Sequence, residues 1–148
     1  MNIDTLCFLW IGVSDMKYNK LVSPILKWVG GKRQLLPEIR KYIPNKFSTY
    51  YEPFIGGGAV LFDIQPQKAI VNDVNSELIN LYQVVKYDVE ALIEDLSKHK
   101  NEEEYFYEVR AWDRDHATYK ELTDIERASR IHYLNKTCYN GLFRVNQS

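Results

Sequence analysis

Thr49-Tyr50-Tyr51-Glu52 is short, aromatic and β-prone, and it runs through Pro53-Phe54-Ile55 into Gly56-Gly57-Gly58. Working outward, Ala59 to Ile64 predicts a short helix, and Lys68-Ala69-Ile70-Val71-Asn72 predicts a second strand. Ser76 to Lys86 sets Leu78, Leu81, Tyr82 and Val85 on one helical face. Strand, Gly turn, helix, strand, helix is the opening of a parallel α/β sheet. An acid, Asp73, closes the second strand. A Gly loop after one strand with an acid after the next is an arrangement by which α/β domains hold an adenosine.

Upstream, Leu35, Leu36, Ile39 and Ile43 follow Gly30-Gly31 at helical spacing. They predict a short amphipathic helix to about Tyr42, with Pro37 tolerable only in its first turn and Pro44 ending it. Downstream the pattern turns helical. Leu92, Ile93 and Leu96 mark one helix, and Tyr105, Phe106 and Val109 mark another over Glu102 to Trp112. Asp113 to Thr118 reads as a loop. Thr123-Asp124-Ile125-Glu126 fits a capping box that opens a helix toward Leu134. Asn135 to Ser148 is polar and turn-rich around Asn140-Gly141. The chain therefore divides into 1–15, an N-terminal extension of open status, 16–87, the sheet-forming part, and 88–148, an inserted helical region.

With 148 residues, 45% hydrophobic and 26% charged, the chain has the size and apolar content of one globular domain. The net charge of -1 does not announce a polyanion partner, but its distribution is uneven. Between Lys17 and Lys46 eight basic residues face a single acid, Glu38, and after Glu126 there are bases and no acids. A basic start and a basic end suit a phosphate-facing surface; solvated helix faces are the alternative. Cys7 and Cys138 lie far apart, and His99, His116 and His132 have no ligand spacing. No metal site and no disulfide framework are expected, and a reducing cytoplasm fits. The apolar run Cys7 to Val13 lacks a basic flank and a cleavage site, and it is too short to span a bilayer. Met16 is a candidate start of the chain.

Four groups of residues carry candidate chemistry. Gly56 and Gly58 let backbone approach a ligand closely, or make a plain tight turn. The dinucleotide pattern is absent, because Ala59, Val60 and Leu61 follow the triplet, so a pyrophosphate cradle is disfavoured. S-adenosylmethionine has no phosphate, and a compact Gly turn suits its nucleoside. Asp73 either accepts from ribose hydroxyls or caps the helix near Ser76. Phe54 lies against an adenine ring or fills a core. In Lys27-Trp28-Val29-Gly30-Gly31-Lys32, Lys32 suits a carboxylate, Trp28 suits a sulfonium, and Lys27 suits DNA; core packing and plain surface are the competing readings. Last, Leu134 to Asn146 offers amides and a guanidinium to base edges and phosphates. An enzyme acting on a base within a duplex must extrude it and fill the gap, which makes Tyr139 and Asn140 candidates. An Asn-Gly turn between core elements is the alternative.

In this order and spacing the four strings resemble the Dam-type (D12 class) adenine-N6 DNA methyltransferases, over roughly Met16 to Ser148. The resemblance implies a Rossmann-like S-adenosylmethionine-dependent domain with an inserted helical target-recognition region. It implies cofactor contacts by Trp28, Gly30, Lys32, Phe54, Gly56, Gly58 and Asp73. Lys27, Tyr139, Asn140, Leu142 and Arg144 would face double-stranded DNA, with G-A-T-C as the expected target and a cognate restriction endonuclease as a further partner. The family's catalytic string, Asp-Pro-Pro-Tyr, does not occur in these 148 residues. The expectation is a fragment, incomplete in sheet and core and inactive alone. The alternatives are a non-catalytic remnant that binds DNA or cofactor, or a small-molecule methyltransferase.

Overall fold

A three-stranded sheet carries the first half of the chain. In the computed structural model, which describes residues 9–12 and 18–141, its strands are β1 (Leu9–Gly12), β2 (Tyr50–Glu52) and β3 (Lys68–Val71), in the order β1-β3-β2. β2 and β3 are parallel, with Tyr50 opposite Ala69 and Glu52 opposite Val71. Parallel neighbours need a crossover, and α2 (Ala59–Ile64) lies on it, giving the expected strand-helix-strand unit. β1 pairs antiparallel with β3, Leu9 opposite Val71. Ala69 and Val71, two residues apart on β3, are fully buried, as period-two alternation requires. Pairing continues past the strand ends: Asn72 N–H donates to Glu52 O, and Ile55 N–H donates to Asn72 O, both at 2.9 Å. The Gly loop therefore starts from a fixed point at the carboxyl end of the sheet.

The helix expected after Gly30-Gly31 is broken. A 3-10 turn, Lys32–Leu35, leads into α1 (Leu36–Ile39), and a second 3-10 turn covers Arg40–Tyr42. Pro37 has no N–H to give back to the Arg33 carbonyl, which takes the Leu36 N–H instead, so the first turn closes tightly.

The molecule has two compact units, Met1–Ser76 and Glu77–Ser148. The second is helical: α3 (Ser76–Tyr87), α4 (Val89–Leu96), α5 (Glu103–Ala111), α6 (His116–Glu121) and α7 (Asp124–Thr137). Its core gathers Val109, Tyr133 and Leu134, with Leu96, Tyr105, Phe106 and Trp112 packed on them. Two expectations are corrected. Residues 113–118 are not a loop: a 3-10 turn covers Trp112–Arg114, and Asp115 then caps α6 by accepting from Ala117 and Thr118 N–H groups. α6 buries no residue, so no apolar period betrays it. α7 also runs past Leu134 to Thr137, because polar residues of its last turns are inside: Asn135 is buried and donates to Gly141 O at 3.1 Å. The capping box at Thr123 and Glu126 is formed in both directions.

Candidate functional site

The candidate site builds from the Lys27–Lys32 string and the Gly loop, both in the first unit. Gly31 N–H donates to Trp28 O at 3.1 Å, closing a turn with Gly30 at φ 74°, where a side chain would be strained. This turn lies directly on the Gly loop. A Cβ on Gly57 would stand 2.9 Å from Leu26 O, and one on Gly56 would stand 3.2 Å from the Trp28 indole. Absent side chains at 56 and 57 thus let two segments, about thirty residues apart in sequence, meet backbone to ring.

Where they meet, a cleft of about 310 Å³ opens, a volume within the range of small-ligand sites. Trp28, Gly30, Lys32, Phe54, Gly56 and Asp73 line it. Asp73 binds backbone on both oxygens. Oδ2 accepts from Gly56 N–H at 2.9 Å, and Oδ1 accepts from Asn75 N–H at 3.1 Å. It ties the Gly loop to the end of β3 and caps the following turn, while each oxygen keeps a second lone pair for a donor in the cleft. Trp28 is half-buried, whereas Phe54 is 71% exposed and presents its ring to solvent rather than to a core. Asn72 Oδ1, next to Asp73, is buried with no hydrogen-bond partner. An open aromatic, backbone-lined glycines and an acid with spare acceptor capacity fit a nucleoside with hydroxyl donors.

Lys32 carries a partner that the sequence reading did not assign. Its Nζ lies 3.0 Å from Glu52 Oε1 and also donates to Phe54 O. Glu52 is only 5% exposed, and its Oε2 accepts from Tyr50 OH at 2.9 Å. Burial and the Glu52 charge together push the Tyr50 phenol up, so it stays a donor. The Lys32–Glu52 contact is an ion pair without hydrogen-bond alignment at Oε1, which leaves that oxygen an unsatisfied acceptor. Glu52 and Tyr50 share one face of β2, and a carboxylate turned inward there calls for a cation. That period was the available signal.

The remaining candidates fall elsewhere. Gly58 does not line the cleft; it caps α2 at φ 76°. Lys27 is exposed in the first unit. Tyr139 belongs to the second unit, in the 3-10 turn Tyr139–Gly141 after α7, and is 90% exposed. Asn140 shares that turn, which Asn135 anchors from below. Leu142 and Arg144 lie outside the described residues. A second hollow of about 450 Å³, in the helical unit, is lined by Asn80, Tyr87, Asp88, Thr123 and Asp124 among others. The α7 N-terminus there is already capped by its own side chains, so the hollow offers a ligand fewer free donors than the Gly-loop cleft. Among the described residues no cluster of His, Cys, Asp and Glu is arranged to hold a metal, and no helix is long and apolar enough to cross a membrane.

The family model of D12 class N6 adenine-specific DNA methyltransferases matches residues 28–148. A protein of Lactococcus lactis subsp. cremoris named type II methyltransferase M1.LlaDCHI is 48% identical over 134 residues, covering 88% of this chain and 47% of its own length. The type II methyltransferase M.MjaIII of Methanocaldococcus jannaschii is 40% identical over 144 residues, covering 85% of this chain and 49% of its own. A DNA adenine methylase of Haemophilus influenzae is 38% identical over 129 residues, covering 83% and 43%. The chain thus spans slightly under half the length of these three relatives.

Proposed function

This chain belongs to the D12 class N6 adenine-specific DNA methyltransferases, and from that premise we propose that it supplies the S-adenosylmethionine site of an enzyme that methylates adenine N6 in duplex DNA. In this reading residues 16–87 are the start of a Rossmann-like domain and residues 88–148 begin the target-recognition region. The observation that carries it is the cleft where Trp28, Gly30, Lys32, Phe54, Gly56 and Asp73 converge.

Each residue has a task in that cleft. Gly56 and Gly57 keep the floor free of side chains, while Gly58 turns the chain into α2. Asp73 holds the loop and accepts from ribose hydroxyls with its remaining lone pairs. The Phe54 ring covers the adenine. Lys32, already fixed by Glu52, directs its remaining donor capacity at the methionine carboxylate. Trp28 faces the sulfonium. The cofactor, when bound, supplies an electrophilic methyl group. None of the described residues is assigned the transfer step itself. Lys27, Tyr139, Asn140, Leu142 and Arg144 are assigned to DNA, with Tyr139 free to wedge into a base step. G-A-T-C is the proposed target, a type II restriction endonuclease the proposed companion, and the cytoplasm the proposed location.

Calorimetric titration with S-adenosylmethionine tests the cleft. The parent is expected to bind. Asp73→Ala is expected to weaken binding by about tenfold or more, since it removes a hydrogen-bonded charged acceptor. Tyr139→Ala is expected to leave cofactor affinity intact and to weaken duplex DNA binding by roughly tenfold, the loss of one wedging aromatic. A parent that binds no cofactor, or an Asp73→Ala protein with parental affinity, overturns the assignment.

A further inference from the structure

We propose a second binding site, on the first unit: a pocket lined by Tyr18, Lys20, Ser23 and Arg33 that grips a backbone phosphodiester of duplex DNA. The inference rests on the DNA-methylating reading above but uses none of the residues assigned there.

The pocket has a volume of about 320 Å³ and lies between the segment around Lys20, the 3-10 turn of Arg33, and α2. Two cations, Lys20 and Arg33, line it, and among the described residues neither forms an ion pair with a carboxylate. The acid in the wall, Asp63, is engaged: Arg40 Nε donates to its Oδ2 at 2.8 Å, and Arg40 Nη2 donates to Oδ1. That pair commits the pocket's carboxylate to Arg40 and not to Lys20 or Arg33.

The pocket is held open by a specific device. Gln65 ends α2 in the left-handed region, at φ 49°, a strained conformation for a side chain-bearing residue. From there its amide pairs in both directions with the Asn19 backbone: Asn19 N–H donates to Oε1 at 2.8 Å, and Nε2 donates to Asn19 O at 2.7 Å. The Tyr18–Lys20 segment is thereby fastened beside the last turn of α2, next to Arg33 and 46 residues from its anchor.

The chemistry points to a phosphodiester. Exposed cations beside hydroxyls, those of Tyr18 and Ser23, are the donor set that positions a duplex by its backbone. A guanidinium matches phosphate oxygens in a forked geometry. Both cations sit at the surface and not in an enclosed cavity, which suits a polymer lying across them better than a free anion competing with water.

The test is fluorescence anisotropy of a labelled duplex over a range of salt, with the intact protein and a Lys20→Gln/Arg33→Gln variant. Both side chains are exposed, so the fold is expected to survive; Lys20→Glu alone serves as a second variant with opposite charge. The double variant is expected to bind all sequences more weakly, with the slope of log affinity against log salt reduced by roughly one to two. Lys20→Glu is expected to fall in the same direction, and cofactor affinity to stay at the parental value. A parent that binds duplex and variants with the parental slope overturn this pocket alone. A parent that binds no duplex overturns both the pocket and the DNA reading. Inorganic phosphate that binds the parent through Lys20 and Arg33 without displacing duplex at matched ionic strength overturns the assignment to DNA.

Discussion

Single glycines of the cleft, one in the Gly loop and one in the Trp28 turn, separate two reasons for having no side chain. At Gly57 the reason is space: a Cβ would meet the Leu26 carbonyl at 2.9 Å, and backbone does not step aside. At Gly30 the reason is conformation: nothing stands within 4 Å, but φ is 74°. Gly57→Ala is therefore expected to lower stability by about 1–3 kcal/mol and to displace Trp28. Gly30→Ala is expected to lower stability by about 1–2 kcal/mol through backbone strain and leave the cleft's shape intact. Urea unfolding, read from midpoints at constant slope, checks both, with cofactor affinity as the second readout. A Gly57→Ala protein as stable as the parent would show that the Leu26 segment relaxes, and the close-packing argument would fail. The sequence showed that the glycines matter. It did not distinguish the two causes, because the atoms that fill the space come from Leu26 and Trp28, remote along the chain.

Elements were legible where a period or a cap was written into them. β2, α2, β3 and α3 follow the expected order, and the box at Thr123 and Glu126 opens α7 as read. Thr123→Ala removes the side chain that accepts from Glu126 N–H and is expected to lower stability by about 1 kcal/mol. Glu126→Gln keeps an acceptor for Thr123 N–H and is expected to lose less. Thermal denaturation of the two variants checks the ranking, and equal losses would mean that charge, not the reciprocal bonds, carries the cap. α6 was missed because it has no buried stripe, and the end of α7 because Ser129, Arg130 and Asn135 are polar yet inside. Arg130 is 3% exposed and is matched by Val109 O and Arg110 O at the end of α5 and by Asp113 in the 3-10 turn after it. Nearby, Tyr119 OH donates to Glu77, and burial with that charge pushes the phenol up to about 12. Polar burial of this kind obeys its partners, not a local pattern.

For the molecule as a whole, proton uptake follows from two half-buried histidines. His99 stacks on Tyr133 at 4.4 Å and meets Tyr105 OH and Ser129 Oγ, and burial pushes its pKa below the ordinary 6.5. Burial, reinforced by Lys136, does the same to His132. Below 6.5 the unfolded chain then binds more protons than the folded one, so stability is full above that value and falls as pH drops through the lowered ones. Asp63, held down by Arg40, and Asp115, held down by Thr118, act only near and below 3.8. The melting temperature is expected to fall as pH drops below about 6.5, and a His99→Gln/His132→Gln variant to flatten that fall. An unchanged slope in the variant would assign the effect to other groups. The sequence by itself determined the strand-helix-strand opening, the Gly loop, the helical second half and the family, since each is written in adjacent residues or in ordered motifs. Only the tertiary structure decided that the Trp28 turn and the Gly loop close on one cleft, that Glu52 takes Lys32, and that Gln65 pins Asn19. Those contacts join residues 17 to 46 positions apart, and hydrogen bonds and close packing over such spans depend on how the chain folds back, which no local pattern encodes.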